Sequence, residues 1–311
     1  MALQDQLNLV NCGGATIGNM GTGSQGCKFD WDRVKTIEFS GMSYKYPTTD
    51  LNLAGIKEAQ QKEEVYLISD VETFKLVPVE PTVNTSEGSG EENVTGELPY
   101  KYELMFKNKG MNFWKALRKF NTTKSYNVAF YDINGSKIMT QTKSSEVKGF
   151  FTNMIHTGQY KGKEGDTPAE FKTTIQLASQ SIKEMESAVW VDGDNVDYSI
   201  SDLDGYNDII FTAKPLSVGA TTLVIDATLV DRSHFPAGLV LTDFLVKKDG
   251  LAVVATAVTP NENDKTYSLT IPASTAGVYT VETKNSFGKR VVLQIATGLL
   301  FKSNVASAIV A

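Results

Sequence analysis

Residues 100–143 read YKYELMFKNKGMNFWKALRKFNTTKSYNVAFYDINGSKIMTQTK, and three periodicities follow one another within them. YKYELMFK alternates apolar and polar side chains, as a strand with one buried face does. In MNFWKALRKF, Trp114, Leu117 and Phe120 recur at i, i+3 and i+6, with Phe113 and Leu117 at i and i+4. That stripe predicts one amphipathic helix over 111–120, with Lys115, Arg118 and Lys119 largely off it and Asn121 as its stop. SYNVAFYDINGSKIMTQTK then reads as two strands around an Asn134-Gly135 turn, the strongest short-range hairpin signal. A single helix laid over a sheet is the expected local architecture.

Upstream, VKTIEFSGMSYKY (34–46) and EEVYLISDVETFKLVPVE (63–80) carry the alternation of half-buried strands, and LNLAGIKEAQQKEE between them reads as a helix or loop. PTVNTSEGSGEENVTGELP (81–99) has hardly an apolar anchor and predicts a long mobile loop. Downstream, VKGFFTNMIHTGQY and EFKTTIQLA supply two more strands, separated by hydrophilic KGKEGDTP. Residues 1–28 hold repeated glycines and almost no periodic apolar pattern. They read as a flexible N-terminal arm, disordered or ordered on another subunit, because so few side chains cannot offset the backbone entropy lost on ordering.

After Trp190 the composition turns acidic: DGDNVDYSISDLDGYND gives a linker over 192–205. Seven short apolar runs follow, IIFTA, TTLVIDA, LVLTDFLV, LAVVATAV, TYSLTI, GVYTVETK and GKRVVLQIA, separated by turn residues. This spacing predicts an Ig-like β-sandwich over 206–297, without the Cys and Trp pattern of antibody domains. The last segment, 298–311, is a tail whose apolar residues should pack on their own domain or on a neighbour. The fold class expected is mainly β: a sandwich or barrel domain over 29–191 with one flanking α-helix, then the second sandwich.

Thirty-six acidic against thirty basic residues, a net charge of −6, offer no basic footprint for a duplex-binding protein. No window is apolar for long enough to span a membrane, so no membrane anchor is expected. MALQDQLNLVNCGG lacks the charged and apolar regions of a signal peptide, which predicts synthesis and folding in a cytosol. Cys12 and Cys27 are the two cysteines. They stay free in a reducing cell, or pair later, outside it, to close the glycine-rich arm.

No catalytic, cofactor or metal constellation emerges. His156 and His234 have no cysteine, acid or second histidine at ligand spacing and read as surface or turn residues; a Cys12–His156 nucleophile pair would need the arm held against a strand. Asp192, Asp194, Asp197, Asp202 and Asp204 crowd one stretch, but Val196 stands where a calcium loop wants an oxygen and no glutamate closes it, so solvated linker is the expectation. Gly21-Thr22-Gly23-Ser24-Gln25-Gly26 follows no strand and opens no helix, unlike a dinucleotide fingerprint. Phe150, Phe151, Tyr126, Phe130 and Tyr131 lie inside strands, where core packing accounts for them without a stacking ligand.

The order of elements over 29–180, with MNFWKALRKFN followed by YNVAFYDINGSKIMT and VKGFF, resembles that of phage tail-tube proteins. NLVNCGG and GTGSQGCKFDWDRVKTIEF look like the beginning of structural proteins of Bacteroidetes phages, crAss-like phages among them. The resemblance implies a structural virion protein of the tail, tube or ring, assembled as a cyclic homo-oligomer, a hexamer or dodecamer, around a channel that passes DNA without reading its sequence. It also implies neighbouring tail, neck or portal proteins as partners and an outward-facing Ig-like domain. Inter-subunit contacts are then expected at Cys12, Cys27, Trp31, Phe113, Trp114, Phe120, Glu87 and Glu91. A capsid decoration or host-surface adhesion module acting through the Ig-like domain is the alternative.

Overall fold

In the computed structural model the opening stretch forms the strand Lys101–Lys107, the helix Met111–Leu117 with a 3-10 turn Arg118–Phe120, and the strands Tyr126–Asp132 and Lys137–Lys143. Gly135 sits at φ 82°, the left-handed conformation that a tight hairpin turn requires and glycine adopts without strain. The structure describes residues 29–78, 98–121, 126–143, 145–230, 234–294 and 297–311, and the backbone alone of 10–11, 82–85 and 92–96. Cys12, Cys27, Glu87 and Glu91 lie outside the described residues.

The chain is mainly β and divides into two compact units: residues Met1–Ile56 with Glu64–Leu203, and Lys57–Glu63 with Asp204–Ala311. In the first unit the sheet runs through Val10–Asn11, Ala188–Val191, Lys137–Lys143, Tyr126–Asp132, Phe150–Thr157, Glu170–Leu177, Lys101–Lys107 and Thr73–Val77. Val34–Gly41 pairs along Tyr126–Asp132 on one side and Val65–Ile68 on the other. Phe150–Thr157 changes partners within its own length: Phe150 and Phe151 pair with Val128 and Asn127, Thr152 pairs with Leu177, and after a register shift Met154–Thr157 pair with Thr173–Gln176. Such a bulged switch lets a sheet fold over on itself around a shared core. Phe39, Leu104, Phe106, Val128, Phe130 and Phe150 are at 0% exposure there.

Several expectations change here. Val34–Gly41 is not half-buried: Thr36, Glu38 and Ser40 are as sealed as Ile37 and Phe39, because the strand is covered on both faces. The 63–80 run is broken at Asp70, φ 61°, into Val65–Ile68 and Thr73–Val77. The one flanking α-helix expected is joined by others: the helix-or-loop stretch 51–64 contains the helix Leu53–Gln61, and Ser181–Glu186 forms a further short helix. Within the expected loop 81–99, Thr82–Thr85 and Glu92–Gly96 form an antiparallel pair. Of the arm, Val10–Asn11 pairs with Trp190 and Val189 of the same chain. In the acidic stretch Asp194, Asp197, Asp202 and Asp204 are exposed, while Tyr198 and Leu203 are buried, two 3-10 turns hold Gly193–Asn195 and Ile200–Asp202, and the side chain of Asp197 accepts from the Leu53 amide at 2.7 Å.

In the second unit a six-stranded sheet, ordered Ala257–Asn261, Thr266–Thr270, Thr222–Leu229, Tyr206–Ala213, Leu300–Ser303 and Val291–Leu293, accompanies a four-stranded one, ordered Leu251–Val253, Phe244–Lys248, Gly277–Thr283 and Ala306–Val310. Buried Phe211, Leu269, Val246, Val281 and Phe301 share one core. LAVVATAV splits into one strand of each sheet. The stretch 298–311 is no separate tail: it supplies Leu300–Ser303, parallel to Tyr206–Ala213, and Ala306–Val310.

Candidate functional site

The Met111–Leu117 helix is held on the first unit by aromatic packing. Phe113 lies 5.4 Å from Phe106 and 6.1 Å from Phe171 between ring centres, and Phe120 lies 4.8 Å from Phe39. Leu117 is buried beneath. Trp114 leans outward toward the end of Phe150–Thr157, where its indole Nε1 donates to the Gly158 carbonyl at 2.8 Å. Asn121 fastens the same junction, with Nδ2 donating to the Thr157 carbonyl and Oδ1 accepting the Thr157 amide.

Between helix and strand end lies an open groove of about 590 Å³ lined by Met111, Trp114, Arg118, His156, Gln159 and Tyr160, with Thr157 and Gly158 at its floor. The Arg118 guanidinium carbon lies over the Trp114 ring, 4.8 Å from its centre. Tyr160 stands 6.0 Å from that ring and donates its hydroxyl to the Lys109 carbonyl. His156 and Arg118 are exposed, and no acidic side chain lines the groove. Chemically it offers a guanidinium, an imidazole and an amide beside an apolar methionine.

A second polar cluster is sealed. Lys137 Nζ lies 2.8 Å from Glu38 Oε2, both side chains at 1% exposure, and the Tyr131 hydroxyl donates to the same oxygen at 2.6 Å. Rings of Tyr46 and Tyr131 flank the ammonium at 4.1 and 5.0 Å. Burial holds the Lys137 ammonium below its ordinary pKa against the pull of Glu38, while burial, and then the Glu38 charge, push the Tyr46 and Tyr131 phenols far up. Asp132 is also raised by burial, opposed by the amides of Asp30, Ser136 and Asn134. Groups this enclosed meet no substrate. They cross-link Val34–Gly41, Tyr126–Asp132 and Lys137–Lys143.

Of the expected contact residues, Trp31 is spent inside its own unit: it stacks on Tyr102 with ring planes 2° apart and centres 5.7 Å apart, and abuts Phe74 and Phe130. Phe113 and Phe120 pack the helix down, and among the described residues of that set Trp114 lines the open groove. Among the described residues no group of three or more His, Cys, Asp or Glu side chains could hold a metal ion, and no helix is long and apolar enough to cross a membrane.

The sheet edges of the second unit differ in protection. Ala257–Asn261 carries Pro260, and Leu251–Val253 and Val291–Leu293 are three residues long. Ala306–Val310 has five residues without charge, proline or glycine, and Ile309, 73% exposed, stands opposite half-exposed Val278. Proline, shortness and charge are the devices that keep edges from pairing with other chains.

No family model matches the chain, and no curated protein matches it. Among solved structures it is similar to SGBP-B of the Bacteroides ovatus mixed-linkage glucan utilization locus, in complex with a mixed-linkage heptasaccharide, at 12% identity and a TM-score of 0.21, over 79% of this chain and 62% of that one. The chain therefore spans less than two thirds of that protein's length. At that TM-score, fold and function rest on the residues themselves.

Proposed function

We propose that the protein is a non-enzymatic structural subunit of a phage virion, a component of a tail tube or tail ring that works as an assembly of copies around a DNA-conducting channel. The order of elements around the 111–120 helix supports the tail-tube reading. Two sheets enclosing one core support an Ig-like reading of the second unit, which the tail reading places facing outward. The observation that carries the proposal is the unprotected Ala306–Val310 edge, a strand suited to pairing with another copy and a liability in a chain that never associates.

Negative-stain microscopy and sedimentation of the full chain test it. Rings, tubes or discrete oligomers are expected, and Ile309→Lys should weaken them while leaving the monomer folded. A strictly monomeric species at high concentration, with no polymer on any template, sinks the reading. A second reading, adhesion through the C-terminal unit, draws on Leu251 and Val254, 77% and 75% exposed. A host-surface ligand retained by the full chain and lost on Leu251→Ser would favour it.

A further inference from the structure

We infer that the groove beside the Met111–Leu117 helix binds an acidic peptide segment of a partner protein, taking a carboxylate on Arg118 and His156. Charge segregation is the first argument. Between Glu103 and Asp132 the chain has six basic residues, Lys107, Lys109, Lys115, Arg118, Lys119 and Lys124, and no acidic one, in a protein whose net charge is −6. Lys107 and Lys109 are occupied by Glu72 and Asp70. Lys115, Arg118 and Lys119 make no ion pair among the described residues, and all three are exposed.

Geometry is the second. The Arg118 guanidinium carbon lies 4.8 Å over the centre of the Trp114 ring, a cation–π contact that uses none of its N–H donors, and Trp114 is itself fixed by its bond to the Gly158 carbonyl. A planar guanidinium fork with its donors unspent matches the two oxygens of a carboxylate. A saccharide or nucleobase is a poorer match, because it wants an open aromatic face. Here Arg118 lies over the indole, and the polar atoms of both Trp114 and Tyr160 are used on the protein's own carbonyls. A nucleic-acid backbone further wants cations tracking several phosphates. Half-exposed Met111 instead offers an apolar side chain somewhere to rest beside the acid. The groove's volume suits a few peptide residues.

The inference goes beyond the structural role and stands whether or not copies assemble. Fluorescence anisotropy of the full chain, with a labelled peptide alternating Glu and Leu, tests it against a Lys-for-Glu peptide, a single-stranded oligonucleotide and polygalacturonate. Binding of the acidic peptide alone is expected, weakened by salt. Arg118→Ala should weaken it about tenfold, the loss expected for a charged hydrogen bond. Arg118→Lys, which keeps the charge but not the fork, should recover only part. Arg118 is exposed, so both variants should fold, checked by circular dichroism. No binding of the acidic peptide, equal binding by Arg118→Ala, full recovery by Arg118→Lys, or tighter binding of the oligonucleotide or polygalacturonate would each overturn the assignment.

Discussion

Lys137 and Glu38 meet where no water reaches them, and each is tolerable only because the other is there. Lys137→Met should therefore destabilise the first unit by about 3–5 kcal/mol in chemical denaturation, since it leaves an unpaired buried carboxylate, and adding Glu38→Leu should recover much of that loss. A double variant less stable than the single would refute this account of the pair. Glycine matters in a different way at position 149: a Cβ there would lie 2.6–2.8 Å from the backbone of Val128, where neither side can yield cheaply. Gly149→Ala should cost about 1–3 kcal/mol, read from the same denaturation curves. At alkaline pH the tyrosines take over. Tyr267 donates to the Pro236 carbonyl at 2.5 Å, and its phenol is pushed by burial from 10.0 up to about 12. The folded chain therefore keeps a proton that the unfolded chain gives up, so stability is intact below pH 10 and declines between 10 and about 12. Tyr267→Phe should flatten that part of the decline; an unchanged alkaline slope would contradict it.

Elements were legible in proportion to how local their causes are. The Asn134-Gly135 hairpin and the 111–120 helix depend on turn chemistry and one apolar stripe, and both stand as the pattern predicts. Glu38 was hidden because alternation assigns a charged residue to solvent, and nothing in VKTIEF signals that Val34–Gly41 is covered on both faces. Arg118 and His156 come together only because Phe150–Thr157 ends beside the helix, a tertiary fact with no sequence signature. Ala306–Val310 is too short and too isolated after Gly298 to announce itself as a strand, although its register with Gly277–Thr283 is regular. At this scale Trp114→Ala should loosen the helix from the strand end and cost about 1–3 kcal/mol, less than a core aromatic, since the ring is only partly buried. Hydrogen exchange at the Gly158 and Thr157 amides should rise with it; unchanged protection there would show that the indole is not what joins the two elements.

For the whole molecule, two separate cores, one around Leu104 and Phe130 and one around Leu269 and Val281, predict two calorimetric transitions. Leu104→Ala should lower one and Leu269→Ala the other, each by about 2–5 kcal/mol of stability. One transition shifted equally by both would merge them. The second unit is also discontinuous in sequence. Lys57–Glu63 belongs to it: Gln60 donates to the Asp204 carbonyl and accepts from the Tyr206 hydroxyl, Asn285 donates to the Gln61 carbonyl, and Glu63 pairs with Lys302. A gene truncated to begin at Asp204 would thus yield a polypeptide stripped of a strut that lies nearly 150 positions upstream, and one ending at 297 would forfeit two strands as well. Anyone dissecting this protein by deletion would have to supply the missing heptapeptide in trans, or graft it on through a designed connection, before reading any result as a property of the isolated half.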